Sequence, residues 1–124
     1  DSIAREMLES IVREEPSNMR YCDALVAYYE RHGDTESAID VYERLLNDGT
    51  HGSKPEIYQV LYKLYSSIGE NRKALEMLEK LELLEGPSES ISLYKVYQYV
   101  MLQDSANAIA ESRRMIAEYP DNLL

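Results

Sequence analysis

Three segments of this 124-residue chain repeat one another, and that repetition limits the fold more than any other feature. Leu25-Val26-Ala27-Tyr28-Tyr29 is followed by Gly33, then Ala38-Ile39, Tyr42 and Leu45-Leu46. Leu61-Tyr62-Lys63-Leu64-Tyr65 is followed in step by Gly69, Ala74-Leu75, Leu78 and Leu81, an offset of 36 residues. Leu93-Tyr94-Lys95-Val96-Tyr97 precedes Ala108-Ile109, Ser112 and Met115-Ile116. Matched by its apolar residues, this third segment is offset from the second by 32 in its first half and by 34 in its second. Two extra residues are therefore expected in its central turn, around Leu102-Gln103. A unit of this length cannot bury an apolar face by itself, so copies must stack.

Each half of the repeat has helical spacing. Tyr58, Leu61, Tyr62, Leu64, Tyr65 and Ile68 fall on i, i+3, i+4, i+7 rows, and Ala74, Leu75, Leu78 and Leu81 do the same. Between the halves, Gly33 and Gly69 can take the left-handed conformation that ends a helix. Asp34-Thr35 and Glu70-Asn71 then offer oxygens to cap the next one. A small residue (Ala38, Ala74, Ala108) near the start of each second helix lets two antiparallel helices approach closely.

The spacing Leu–x3–Tyr–x3–Gly–x4–Ala–x3–aromatic or apolar resembles the tetratricopeptide repeat, with Pro16 and Pro120 at repeat ends. The first-helix small residue of that family is replaced by Val26, Tyr62 and Tyr94, and its leading Trp-type position reads Cys22, Tyr58 and Ser90. The resemblance implies an all-α superhelix of about seven antiparallel helices in a single domain spanning residues 1–124. Residues 1–17, with Ala4, Leu8, Ile11 and Val12, read as the second helix of a preceding repeat. Complete repeats are expected at 18–52, 53–86 and 87–121. Pro120-Asp121-Asn122-Leu123-Leu124 reads as the opening of a further one, so the chain looks like a stretch of a longer array of bacterial type. The polar segment Asn47–Pro55 is expected to form a loop about two residues longer than usual, with Pro55 in the first turn of the next helix.

The formal net charge is −10, which disfavours nucleic acid and an anionic membrane surface. No apolar run has the length to span a bilayer. Cys22 is the only cysteine and lies on the apolar face of its helix, so it reads as a core residue. His32 and His51 have no partner at metal-ligand spacing, and no nucleophile elbow or glycine-rich phosphate loop is present. No catalysis, metal or cofactor is expected; the compartment stays open.

In the family that the chain resembles, partners are held on a concave face by first-helix residues turned away from the second helix. Carried over position by position, three rows are expected there and to face solvent: Asp23, Gln59 and Ile91; Ala27, Lys63 and Lys95; Glu30, Ser66 and Gln98. Lys63 and Lys95 would set a positive strip inside an acidic shell and could meet carboxylates of a protein or peptide partner. The family's carboxylate clamp of Lys and Asn is not reproduced. The expected function is a non-catalytic interaction scaffold. Two alternatives remain: a pentatricopeptide-like RNA-binding repeat, and a spacer or self-assembly segment. The latter would pair through apolar surface at uncapped ends: Met7, Leu8 and Ile11 at one, Ile116 and Leu123 at the other.

Overall fold

The computed structural model describes residues 2–120. Seven helices occur among them, and no strand. Contacts group the chain into two compact units, 1–54 and 55–124, which are described separately.

The first unit holds α1 (Ser2–Glu14), α2 (Met19–Arg31) and α3 (Thr35–Asn47). α2 packs against both α1 and α3. It starts where the Asn18 side chain accepts the Tyr21 N–H, satisfying one of the donors a helix start leaves open. Its inward face is Cys22, Leu25, Val26 and Tyr29, set against Ala38, Ile39, Tyr42 and Leu45 of α3. Cys22 is fully enclosed, and burial pushes its thiol pKa up, as suits a core residue rather than a nucleophile. The segment 48–54 is folded back onto this unit. Asp48 accepts from the Ser17 hydroxyl and from Thr50 N–H, each at 2.8 Å, and His51 Nε2 lies 2.8 Å from the Ser17 carbonyl.

The second unit holds α4 (Pro55–Ser67), α5 (Asn71–Glu85), α6 (Glu89–Met101) and α7 (Ser105–Glu118), each packed on the next. Pro55 opens α4, where its missing N–H costs nothing. Ile57, Tyr58, Leu61, Leu64 and Tyr65 of α4 meet Ala74, Leu75, Leu78 and Leu81 of α5. A fully buried side chain of this size contributes about 2 kcal/mol, so this hairpin is held mainly by apolar burial.

Three turns share one geometry and settle the register of the repeats. Gly33, Gly69 and Gln103 all have left-handed backbone, with φ of 74°, 78° and 59°. The following N–H reaches back to Tyr29, Tyr65 and Tyr99 carbonyls at 2.9, 2.9 and 2.8 Å. This is the six-to-one bond of a glycine-type helix stop. Asp34 and Asp104 then cap the next helix through their side chains; Glu70 stands at the same place without such a bond.

The third repeat therefore differs from its sequence reading. Its offset from the second is 34 from beginning to end: α4 and α6 start at 55 and 89, α5 and α7 at 71 and 105. There is no two-residue slip, and the turn at Leu102-Gln103 has the ordinary length. The equivalent of Tyr65 is Tyr99, not Tyr97. The cause is twofold: a glutamine occupies the left-handed site that glycine marks elsewhere, and α6 is apolar nearly all the way round. The two extra residues between the first and second repeats lie in 48–54, as expected for the longer loop, since α3 to α4 takes 20 residues start to start and α5 to α6 takes 18.

Candidate partner-binding face

The corrected register moves the third member of each expected row. Asp23, Ala27 and Glu30 are exposed on α2, and Gln59 and Lys63 are exposed on α4, with Ser66 half-buried. Asp23 is engaged within its own unit: the Tyr42 hydroxyl donates to its Oδ1 at 2.7 Å, and burial together with that bond pushes the Tyr42 pKa up. On α6 the expectation of a solvent-facing row fails. Ile91, Lys95 and Gln98 are buried, at 8%, 8% and 0% exposure. They sit two positions from the true equivalents of Gln59, Lys63 and Ser66, which are Leu93, Tyr97 and Val100. Those three are about half exposed, as are Tyr94 and Met101. α6 thus turns polar residues inward and apolar residues outward.

The inward side is an ionic cluster built by three helices. Lys95 Nζ lies 3.0 Å from Glu82 Oε1 of α5 and 3.4 Å from Glu111 Oε1 of α7. Arg114 of α7 pairs with Glu111, lies 3.7 Å from Glu82 Oε2 and 3.0 Å from Glu118, and donates to Ser92 Oγ at 2.7 Å. Gln98 donates to Ser66 Oγ of α4 at 3.2 Å. Burial alone would raise the Glu111 pKa. Hydrogen bonds from Arg114 and Ser92, with the charges of Lys95 and Arg114, outweigh it and hold that carboxyl below its ordinary range. Burial would likewise lower the Lys95 pKa; the hydrogen bond to Glu82 and the charges of Glu111 and Glu82 hold it above the usual lysine value instead. Lys95 is consequently not offered to carboxylates of a partner; it already holds two.

The outward side is without charge. Among the described residues, α6 carries only Glu89 and the buried Lys95 as charged groups, and neither lies on the stretch Leu93, Tyr94, Tyr97, Val100, Met101. Within this unit a shallow cleft of about 290 Å³ runs between α4 and α6 over α5; Gln59, Tyr62, Lys63, Leu81, Ile91 and Tyr94 line it. The Tyr62 and Tyr94 rings meet at 5.3 Å between centroids. No ion pair joins Lys63 to another described residue. Nucleation on turn residues rather than on apolar ones would have found this face: Ser88, whose side chain accepts the Ile91 N–H to start α6, lies 34 positions after Lys54.

Elsewhere, Ile3, Met7 and Ile11 of α1 and Ile109 and Ile116 of α7 are exposed, and Leu8 is half-buried. Leu123 and residues 121–124 lie outside the described residues. No described helix is long and apolar enough to cross a membrane, and no described group of three or more His, Cys, Asp and Glu is placed to hold a metal ion. His51, Ser17 and Asp48 cluster, but the histidine meets the Ser17 carbonyl and not its hydroxyl, which donates to Asp48, so the three do not line up as a nucleophile, an imidazole base and its orienting acid.

Comparison with known proteins bears on the fold. Residues 26–48 match the family model of the tetratricopeptide repeat. A crystal structure of MamA protein superposes with a TM-score of 0.76 at 18% identity, over 98% of this chain and 66% of that one. A second MamA structure (AMB-1) gives 0.75 at 13% identity, over 94% and 62%. A tetratricopeptide repeat protein from Parabacteroides merdae ATCC 43184 gives 0.71 at 22% identity, over 94% of this chain and 46% of that one. No curated protein sequence matches. The fold is an all-α helical-repeat fold of tetratricopeptide type, and the chain spans about two-thirds or less of these relatives.

Proposed function

We propose that this chain is a non-catalytic interaction module that holds a protein partner on the outward face of α6, with Lys63 of α4 at its margin. The observation that carries this reading is the inverted helix: Leu93, Tyr97 and Val100 stand in solvent while Ser92, Lys95 and Gln98 are buried. Large apolar groups left in water forgo the stabilisation that burial gives, and a contiguous surface of this kind points to a second body that covers it. Tetratricopeptide-type folds generally serve protein–protein contact, which agrees. The fitting partner is an apolar or aromatic peptide segment carrying a carboxylate for Lys63, because the α6 stretch offers no charge of its own and Lys63 has no ion pair with another described residue.

A displayed library of random peptides, selected against the full chain, tests this. Selected sequences should be rich in apolar and aromatic residues with an Asp or Glu at a fixed distance. Tyr97→Asp and Val100→Asp should abolish their binding, and Lys63→Glu should weaken it about tenfold or more. Selection of basic, polar peptides, or binding indifferent to Tyr97→Asp, would overturn the reading. RNA gains no support from this face, which presents no cation on α6 to phosphates. Self-association remains a distinct outcome: a dimer in sedimentation that Ile3→Asp and Met7→Asp dissolve would favour the assembly reading instead.

A further inference from the structure

We infer that the cluster of Lys95, Glu82, Glu111 and Arg114 is a positioning device that fixes the rotation of α6 and so decides which of its faces is offered outward. Only the last clause rests on the partner-binding reading; the rotation is a property of the chain alone.

Between 91 and 101, α6 has three polar side chains, Ser92, Lys95 and Gln98, and eight apolar or aromatic ones. Two strips compete for the interior. One contains residues 92, 95 and 98; the other contains 93, 97 and 100. A turn of the helix by two residues, about 200°, exchanges them. Apolar burial by itself favours the second strip. The structure buries the first.

The polar strip is accepted because each member meets at least one polar partner, drawn from three neighbouring helices, although Gln98 Oε1 is left without a hydrogen bond among the described residues. Ser92 receives Arg114 of α7, Lys95 bridges Glu82 of α5 and Glu111 of α7, and Gln98 reaches Ser66 of α4. The alternative rotation would carry the lysine away and leave the buried Glu111 and the half-buried Glu82 to share Arg114, with one negative charge no longer matched, which is unfavourable. The cluster therefore acts chiefly by penalising the wrong rotation. α4 needs no such device. Its inward strip is Tyr58, Leu61 and Tyr65, its outward residues are Gln59 and Lys63, and hydrophobicity alone orients it.

Thiol labelling of the full chain reads the rotation directly, with Cys22 as an enclosed, slow background. With the cluster intact, Val100→Cys should label quickly and Ser92→Cys slowly. Adding Lys95→Met and Glu111→Leu should invert the pattern: Val100→Cys slows and Ser92→Cys accelerates, each about tenfold or more, with helicity retained. The conservative variant Lys95→Arg, which keeps a cation between Glu82 and Glu111, should retain the original pattern. An unchanged pattern, or equal acceleration at both sites, would overturn the inference, because the cluster would then only add stability. Should the double variant lose its helicity, Glu111→Gln keeps the shape while removing the charge; it should slow Val100→Cys about threefold, and no change there overturns the inference equally. No partner enters this measurement, so its failure and a failure of peptide selection are separate results.

Discussion

The hairpins α4–α5 and α6–α7 have the same plan and opposite interiors. In the first, the apolar Leu61 and Leu78 are buried and Met77 is half-buried; in the second, the same positions are Lys95, Ser112 and Glu111. Both carry an alanine at the close approach, Ala74 and Ala108, and both end the first helix with a left-handed residue. Backbone geometry thus survives replacement of apolar seam residues by ions, provided that the ions are matched. What changes is the other side of the helix: α4 is polar outside, α6 apolar. A repeat can exchange its inner and outer chemistry while keeping its shape.

The sharpest way to break this comparison is to move a charge into the apolar seam. Leu61→Lys places an ammonium at a site of 0% exposure with no carboxylate opposite, and should cost about 3–5 kcal/mol in denaturant unfolding. Lys95→Met alone should cost less, about 2–3 kcal/mol, because it leaves Glu111 and Glu82 to share Arg114. If Leu61→Lys is tolerated, the distinction between the seams is wrong. A second expectation concerns cavities. Leu78→Ala should cost about 2–4 kcal/mol, whereas Ser112→Ala, at the equivalent place, should cost under about 1 kcal/mol, since the hydroxyl bonds only the Ala108 carbonyl of its own helix.

Acid should separate the hairpins as well. Glu111 is held below its ordinary pKa in the folded chain, so its ionisation stabilises the fold above the unfolded value and that contribution is lost as pH falls through the folded one. Amide exchange in α6 and α7 should accelerate below about pH 4 ahead of α4 and α5. Glu111→Gln should remove that acid dependence. The smallest effect expected is at the turns: Gln103→Gly should stabilise by about 0.5–1 kcal/mol and Gly69→Gln should destabilise by about as much, because only glycine takes left-handed φ without strain.

Much of this was legible in the residues. Apolar spacing in 58–65 and 74–81, Gly33 and Gly69 as stops, and Pro55 as a start gave the count of seven helices and the pairing of neighbours. Lys63 and Gln59 were placed on the outer face correctly because α4 is amphipathic. α6 failed for the complementary reason. A helix apolar on most sides gives periodicity no preferred phase, so aligning Leu93-Tyr94 with Leu61-Tyr62 looked natural. The information that sets its phase lies in long-range matches, Lys95 with Glu82 and Glu111, that no local pattern encodes. The turn at Gln103 would have fixed the phase had it been glycine.

The folded-back segment 48–54 has a practical meaning for anyone dividing the chain. His51 and Asp48 both return to Ser17, so this connector is a fitted edge of the first unit and not slack rope. A break introduced between Lys54 and Pro55 would leave that edge whole, with both of its anchors on the same piece. A break placed a few residues earlier, before Asp48, would strip the α1–α2 corner of its cover. The seam at which such a repeat chain can be cut, joined to another or rearranged is therefore set by three side chains and one carbonyl.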